Sequence, residues 1–152
     1  MGIEYTTSEA LREMPLVECE DVLLHSRFGR IGIRSADGVY IVPVGFAFAD
    51  GAIFGHAAPG KKVALLRRWP HVGFQVDDIR SVSVWKSVLA QGTWHELVRE
   101  DDRRHARAVL LRAFEGNLWW ATAGHGHRTT LAEALLYRID IDEISGRAQN
   151  FG

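Results

Sequence analysis

The stretch from Gly29 to Leu66, GRIGIRSADGVYIVPVGFAFADGAIFGHAAPGKKVALL, decides the fold. Its apolar residues alternate or run continuously over short distances, as they do in strands. Two Asp-Gly pairs, Asp37-Gly38 and Asp50-Gly51, interrupt these runs and are typical of tight hairpin turns. The stretch therefore predicts three strands joined by hairpins. They cover residues 30–34, 39–49 and 52–57.

The middle strand of this group, residues 39–49 (VYIVPVGFAFA), is apolar almost throughout. A continuous apolar run is typical of a strand buried on both faces, and we expect that here. Pro43 and Gly45 interrupt the run, which predicts a bulge or a close approach by a ligand.

The remaining sequence contributes more strands than helices. Residues 1–14 are expected to form a polar arm, and residues 115–130 a loop rich in Trp, Gly and His. Helices are predicted from Pro15 to Ser26, Lys61 to Trp69 and Asp101 to Phe114, with strands over 71–76, 82–96 and 135–144. Short turns between neighbouring strands favour a single mainly β domain over residues 1–152. We expect an antiparallel barrel with peripheral helices, not a doubly wound parallel sheet.

Composition excludes several classes of protein. The 152 residues are 47% hydrophobic and 24% charged, which is ordinary for a soluble globular domain. A net charge of −1 argues against a general binder of nucleic acid or anionic membranes. Cys19 is the only cysteine, so no internal disulfide can form. With neither a signal peptide nor a membrane-length apolar run, the sequence predicts a cytoplasmic protein.

The loop Gly55–Lys62, GHAAPGKK, nearly matches the P-loop pattern GxxxxGK[ST]. Lys62 stands where a P-loop has the Ser or Thr that ligates Mg²⁺, and the preceding strand ends a hairpin, which argues against an NTPase. Backbone N–H groups at a helix start and the helix dipole favour an anion. Lys61 and Lys62 add positive charge, so the loop is suited to a phosphate monoester without a metal. A solvated lysine pair is an equally good interpretation of the loop alone.

A wider set of motifs supports the phosphate interpretation. In order they are GRIGI, a D-G turn, VPVGF, a second D-G turn and FGHAAPGKK. Their order and spacing resemble the core of the pyridoxamine 5′-phosphate oxidase-like flavoproteins, most closely the branch related to nitroimidazole-resistance proteins. The resemblance continues through Val72–Val76 and Trp85–Gly92. It resumes at Tyr137–Ile139 and Ile144–Arg147 and covers about residues 15–148.

This resemblance implies a split β-barrel that forms a homodimer and binds one FMN per subunit at the dimer interface. It implies that Gly60, Lys61 and Lys62 bind the FMN phosphate. The backbone of Val42, Pro43, Val44 and Gly45 would line the isoalloxazine, and His56 and Ala57 would lie near the ring or the ribityl chain. The partner subunit would contribute Trp85, Lys86 and Ser87.

The resemblance favours an FMN-dependent oxidoreductase that reduces a small planar substrate, such as a nitroaromatic or quinone-like compound. His56 is the candidate proton donor or substrate contact; the alternative is a buried strand histidine. A non-catalytic flavin- or haem-binding module is the second hypothesis, with His56, His125 and His127 as possible haem ligands. Gly124-His125-Gly126 lacks the third glycine of a nicotinamide-binding motif.

Two further features limit the prediction. True pyridoxamine phosphate oxidases have an Arg-rich substrate site and a C-terminal segment with Trp and Arg, whereas residues 144–152 are short and lack Trp. Oxidation of pyridoxamine phosphate is therefore not expected. His125 and His127 share the spacing of a metal pair, but no HExxH or paired cysteines accompany them, so we predict a surface loop and no metal site.

Overall fold

The computed structural model describes residues 11–114 and 134–151. Within these residues the chain forms eight strands and three helices. In order they are β1 (Leu11–Glu13), α1 (Leu16–His25), β2 (Phe28–Ser35), β3 (Gly38–Gly45), β4 (Ala47–Ala49), β5 (Ala52–Ala57), α2 (Lys61–Arg68), β6 (His71–Ser81), β7 (Val84–Glu96), α3 (Glu100–Ala113) and β8 (Leu135–Asn150).

The strands form one antiparallel sheet in the order β3-β2-β6-β7-β8-β5-β4, and β1 pairs with the far end of β8. Among the described strands the sheet does not close, because β3 and β4 are its two ends. The sheet curls around a shared core and the helices lie outside it. This is the mainly β split barrel that the sequence predicted. No helix in the described ranges has the length and apolar character needed to cross a bilayer.

Both predicted hairpins are confirmed. Ser35 pairs with Gly38, which leaves a two-residue turn between β2 and β3. Ala49 pairs with Ala52 around Asp50 and Gly51, whose φ angles are 52° and 73°. Two successive positive φ angles define the tight hairpin turn whose twist matches the strands, and Asp-Gly is among the pairs that adopt it most easily.

The prediction of one continuous strand over residues 39–49 is wrong. The chain breaks at Phe46, whose side chain is fully buried and whose N–H donates 2.9 Å to the carbonyl of Arg27. β3 then pairs with β2, whereas β4 pairs with β5 on the opposite end of the sheet. Phe46 thus marks the point at which one apolar run is divided between the two ends of the barrel.

Burial of β3 on both faces is also wrong for the single chain. Val39 and Ile41 point outward and are 71% and 63% exposed, while Tyr40, Val42 and Val44 face the core. β3 pairs with β2 without a register shift, so no bulge forms at Pro43 or Gly45. An edge strand tolerates Pro43 because its missing N–H need not serve a neighbour.

Several strands are longer than predicted. β6 continues to Ser81 and β8 to Asn150, and the end of the expected polar arm forms β1, followed by buried Met14. The register of β7 against β8 shifts between Gln91 and Gly92. A Cβ at Gly92 would lie 2.2 Å from the carbonyl oxygen of Asp140, so glycine is required there by close packing. The predicted loop at 115–130 lies outside the described residues.

Two hydrophobic clusters stabilise the barrel, and β5 takes part in both. Ile53 and Ala57 belong to the main cluster inside the sheet. Ala52 and Phe54, on the opposite face of β5, pack in a second cluster beneath α3 that includes Ala106, Leu110 and Leu136. β5 is buried at every residue, so the loop that follows it begins from a rigid strand.

Candidate functional site

The start of α2 has the properties of an anion site. Gly60 precedes the helix, no side chain caps its first turn, and the first turn contains no acidic residue. Lys61 and Lys62 occupy the first two helical positions instead. Cations at the positive end of a helix dipole are unfavourable by themselves. A bound anion would compensate both the lysines and the uncapped N–H groups.

Lys62 is the more buried of the two lysines. Burial lowers the pKa of its ammonium group, and within the described part of the chain no carboxylate compensates this loss of solvation. A partly buried ammonium without a counter-ion is costly, because desolvation disfavours the charged form. Lys62 is therefore placed to gain more from an incoming anion than an exposed lysine would.

Lys61 is exposed to solvent, but its side chain contacts an aromatic ring. Its Nζ lies 4.8 Å from the centroid of the Tyr40 ring. This is within the range of a cation–π contact, in which the ring attracts the ammonium without neutralising its charge. The contact also joins the start of α2 to β3, the strand that carries Val42–Gly45.

Gly60 leaves an open space beside the two lysines. A Cβ built on Gly60 would meet no atom within 4 Å, and its φ of 165° is extended backbone that any residue can adopt. Gly55 is different, because a Cβ there would lie 2.3 Å from Oη of Tyr137. Packing explains the glycine at 55 but not at 60. A side chain at residue 60 would enter this opening beside Lys61 and Lys62, which we call the cradle.

His56 is buried in β5, with 5% of its surface exposed. It pairs with Leu136 of β8 and shares its face of the strand with Phe54, on the side of the second cluster. Ala57 lies on the opposite face, in the main cluster. His56 is thus a buried strand histidine, and its side chain points to the opposite face of β5 from that of Ala57.

β3 presents Val42–Gly45 at an end of the sheet. Among the described strands β3 pairs only with β2, so its other edge is available to a ligand or another chain. Pro43 is on the outward face and Val44 on the inward one. The Tyr40–Lys61 contact brings this strand close to the start of α2.

Trp85, Lys86 and Ser87 lie on β7, three strands away from β3 in the sheet. Successive pairings place Tyr40 in one row with Ile33, Val72 and Gly92. Trp85 is seven residues from Gly92 along β7, which is roughly 23 Å at the usual rise of a strand. This distance separates Trp85 from the Tyr40–Lys61 contact, whereas Pro43 shares a row with Leu89, which is two residues from Ser87.

The region around Lys86 has its own charge arrangement. Lys86 Nζ lies 3.3 Å from Oε1 of Glu18, and Arg12 donates to both oxygens of the same carboxylate at 2.7 and 2.8 Å. These partners lower the pKa of Glu18 to about 2, with the Arg12 hydrogen bonds as the main cause. Beside them, Trp85 and Ser87 line a groove of about 550 Å³ together with Arg147.

Two of these residues, Tyr40 and Glu18, were not predicted from the sequence. Tyr40 carried an available signal, because it lies two positions before Val42 and so faces the same way in a strand. Glu18 carried none, since its contacts with Arg12 and Lys86 depend on how β1 and α1 pack against β7. Across the described ranges, no group of three or more His, Cys, Asp or Glu is arranged to hold a metal. His125 and His127 lie outside those ranges.

Together these features define a class of protein: a split β-barrel with a basic, uncapped loop between a buried strand and a short helix. The family model described as pyridoxamine 5′-phosphate oxidase matches residues 16–148, and the chain belongs to this family. The resemblance found in the sequence is therefore confirmed.

Known proteins of similar structure agree with this assignment. A FAD-binding protein from Mesorhizobium loti is 28% identical, with a TM-score of 0.78 over 92% of this chain and 99% of that one. A candidate 5-nitroimidazole antibiotic resistance protein from Bacteroides thetaiotaomicron has a TM-score of 0.71 at 16% identity, over 92% and 89%. An uncharacterized protein of Rhizobium meliloti is 27% identical over 143 residues, 91% of this chain and 95% of that protein.

Proposed function

We propose that this protein binds a flavin, FMN in the first instance, and uses it to reduce a small planar organic substrate. The observation that carries the proposal is the open space at Gly60 beside Lys61 and Lys62, which are without acidic partners in the described part of the chain. The similarity to a FAD-binding protein at 28% identity supports a flavin as the ligand.

Two adjacent lysines favour FMN over FAD, because the monoester concentrates its charge on one phosphate group. A phosphate monoester carries about −1.5 to −2 charges at neutral pH, and the two lysines supply +2. Each phosphate of the FAD diphosphate carries about one negative charge, and its adenosine needs additional space. FAD remains the competing ligand because the Mesorhizobium protein is described as binding it.

In this proposal the chain's residues hold and orient the cofactor. The flavin, when bound, supplies the transfer of hydride or electrons. Lys61 and Lys62 fix its phosphate, and the free edge of β3 at Val42–Gly45 offers backbone groups to the ring system. His56 is the proton donor expected from the sequence, but its side chain is buried on the face of β5 that it shares with Phe54, so we assign it no proton transfer.

We also propose that the working form is a homodimer. Trp85 is displaced along β7 from the row of Tyr40, which favours a second copy as the source of Trp85, Lys86 and Ser87. The outer face of β2 and β3 offers a surface for that copy, because Phe28, Val39 and Ile41 are each more than 60% exposed.

Buried Cys19 is compatible with a reducing cytoplasm, the location we propose.

The visible absorption spectrum of the purified protein tests the proposal. We expect a flavin spectrum, released by denaturation and identified as FMN by chromatography. NADH or NADPH should bleach it, and a nitroaromatic or quinone-like compound should restore it. A bound flavin that neither donor reduces would indicate the non-catalytic module. A Soret band, or a colourless protein that binds no added flavin, would contradict the proposal.

A further inference from the structure

Tyr40 of β3 contacts Lys61 but has so far been assigned no role in binding. It pairs with Ile33 of β2, and its ring is partly buried against the main cluster, on the same face as Val42 and Val44. The ring is therefore held in one orientation by the sheet. Its remaining surface lies beneath the Lys61 ammonium, at 4.8 Å from Nζ to the ring centroid.

The contact matters because, among the residues that the structure describes, no ion pair or hydrogen bond restrains the Lys61 side chain. It is exposed, and in the described part of the chain no carboxylate forms an ion pair with it. A lysine at a helix start would otherwise explore many rotamers, and ordering it on binding would weaken the complex. An acidic partner could order it too, but would compete with the phosphate for its charge.

An aromatic face avoids this competition. The ring quadrupole attracts the ammonium while leaving its full positive charge and its outward N–H groups available to an anion. The Lys62 side chain is also restricted, but by burial and not by a ring. The two lysines of the cradle thus differ in what holds them.

We propose that Tyr40 is a positioning residue that orients Lys61 for the cofactor phosphate. This inference rests on the proposed flavin function and extends it to a residue outside the GHAAPGKK loop. It concerns the phosphate alone, so Tyr40 should affect FMN but not riboflavin, which lacks the phosphate.

The test is a set of dissociation constants for FMN and riboflavin, measured by flavin fluorescence on apoprotein. Tyr40→Leu should weaken FMN about two- to fivefold, the range expected for an exposed cation–π contact, and leave riboflavin unchanged. Tyr40→Phe, which keeps the aromatic face, should bind FMN as the wild type does. An equal loss for both ligands in Tyr40→Leu would indicate a merely structural role and overturn the inference.

A double-mutant cycle identifies the lysine involved. Tyr40→Leu should weaken FMN no further in a Lys61→Met background, because the contact is already absent. In the matched Lys62→Met background, the fold-losses of FMN affinity caused by Tyr40→Leu and by Lys62→Met should multiply. Multiplication in the Lys61→Met background would contradict the inference.

A measurement on the wild-type apoprotein keeps the inference testable if Tyr40→Leu does not fold. The Lys61 Cε protons should show an upfield ring-current shift by NMR that Tyr40→Phe retains. Absence of that shift would overturn the inference. If the wild type prefers FMN to riboflavin and Tyr40→Leu keeps the full preference, only the Tyr40 inference fails; if the wild type shows no preference, the proposed function fails with it.

Discussion

The Lys86 ammonium lies 3.3 Å from the Glu18 carboxylate of its own chain, which joins β7 to α1. Arg12 of β1 donates two hydrogen bonds to the same carboxylate, so the Glu18 side chain links β1, α1 and β7. These elements adjoin the groove that Trp85 and Ser87 line. Glu18 therefore supports the part of the surface that we propose faces the partner's cofactor.

This arrangement predicts a pH-dependent contribution to stability. The Glu18 pKa is lowered from 4.5 to about 2 in the folded protein. Its stabilisation is therefore complete above the unfolded pKa and disappears as the pH falls from 4.5 to about 2. Glu18→Gln should lower the melting temperature by a few degrees at pH 7, with a difference from wild type that shrinks in acid. Glu20→Gln, on the same helix, is the control and should show no such trend; a constant deficit at every pH would contradict the assignment.

Removing the Lys62 charge should raise the stability of the apoprotein and lower its affinity for FMN. Lys62→Met keeps the aliphatic bulk but removes a desolvated ammonium, so the apoprotein should melt at a higher temperature than wild type. FMN affinity should fall by roughly ten- to a hundredfold, the loss expected for one hydrogen bond to a charged group. Calorimetry and fluorescence titration measure the two effects. Lys62→Arg, which keeps the charge, should lose much less affinity; a less stable apoprotein with Lys62→Met would show that the ammonium has a partner.

The same residue predicts how binding depends on pH. Burial lowers the Lys62 pKa below 10.5, so the folded apoprotein releases this proton more readily than the unfolded chain does. A bound phosphate requires the proton, and FMN affinity should fall as the pH rises through that lowered pKa. Riboflavin affinity should show no such step. A step of equal size in the Lys62→Met variant would assign the effect to another group.

Two glycines near the site should respond in opposite ways to alanine. Gly60→Ala places a methyl in open space on a permitted backbone, so stability should be unchanged or higher by about 0.4–1 kcal/mol. The methyl would occupy the phosphate cradle and weaken FMN. Gly55→Ala would bring a Cβ against the ring and Oη of Tyr137 and should destabilise the fold. A Gly60→Ala variant that binds FMN normally would show that the cradle lies elsewhere.

Much of the fold follows from local sequence chemistry. Asp50 and Gly51 adopt the backbone that their hairpin requires, and the apolar spacing of α3 predicts the face that Ala106 and Leu110 bury. The break at Phe46 could not be predicted in this way. It depends on a hydrogen bond to Arg27, which is distant in sequence, and on which strand each half pairs with.

In the candidate site too, some features followed from local sequence and others depended on strand pairing. Lys61 and Lys62 lie next to each other in sequence, and their position at a helix start followed from the loop and the helical pattern. The contact of Lys61 with Tyr40 required the register of β3 against β2. The separation of Trp85 from this group required the pairing of four strands, a long-range property that no short motif encodes.

The measurement that tests the central claim most directly compares FMN with riboflavin, in the presence of EDTA, on wild-type apoprotein and on the Lys61→Met, Lys62→Met double variant. The account predicts that the wild type binds FMN far more tightly than riboflavin without a metal. It further predicts that the double variant binds the two ligands about equally and retains wild-type affinity for riboflavin. Equal wild-type affinities, or an FMN preference that survives in the double variant, would contradict the assignment of Gly60–Lys62 as a metal-free phosphate site.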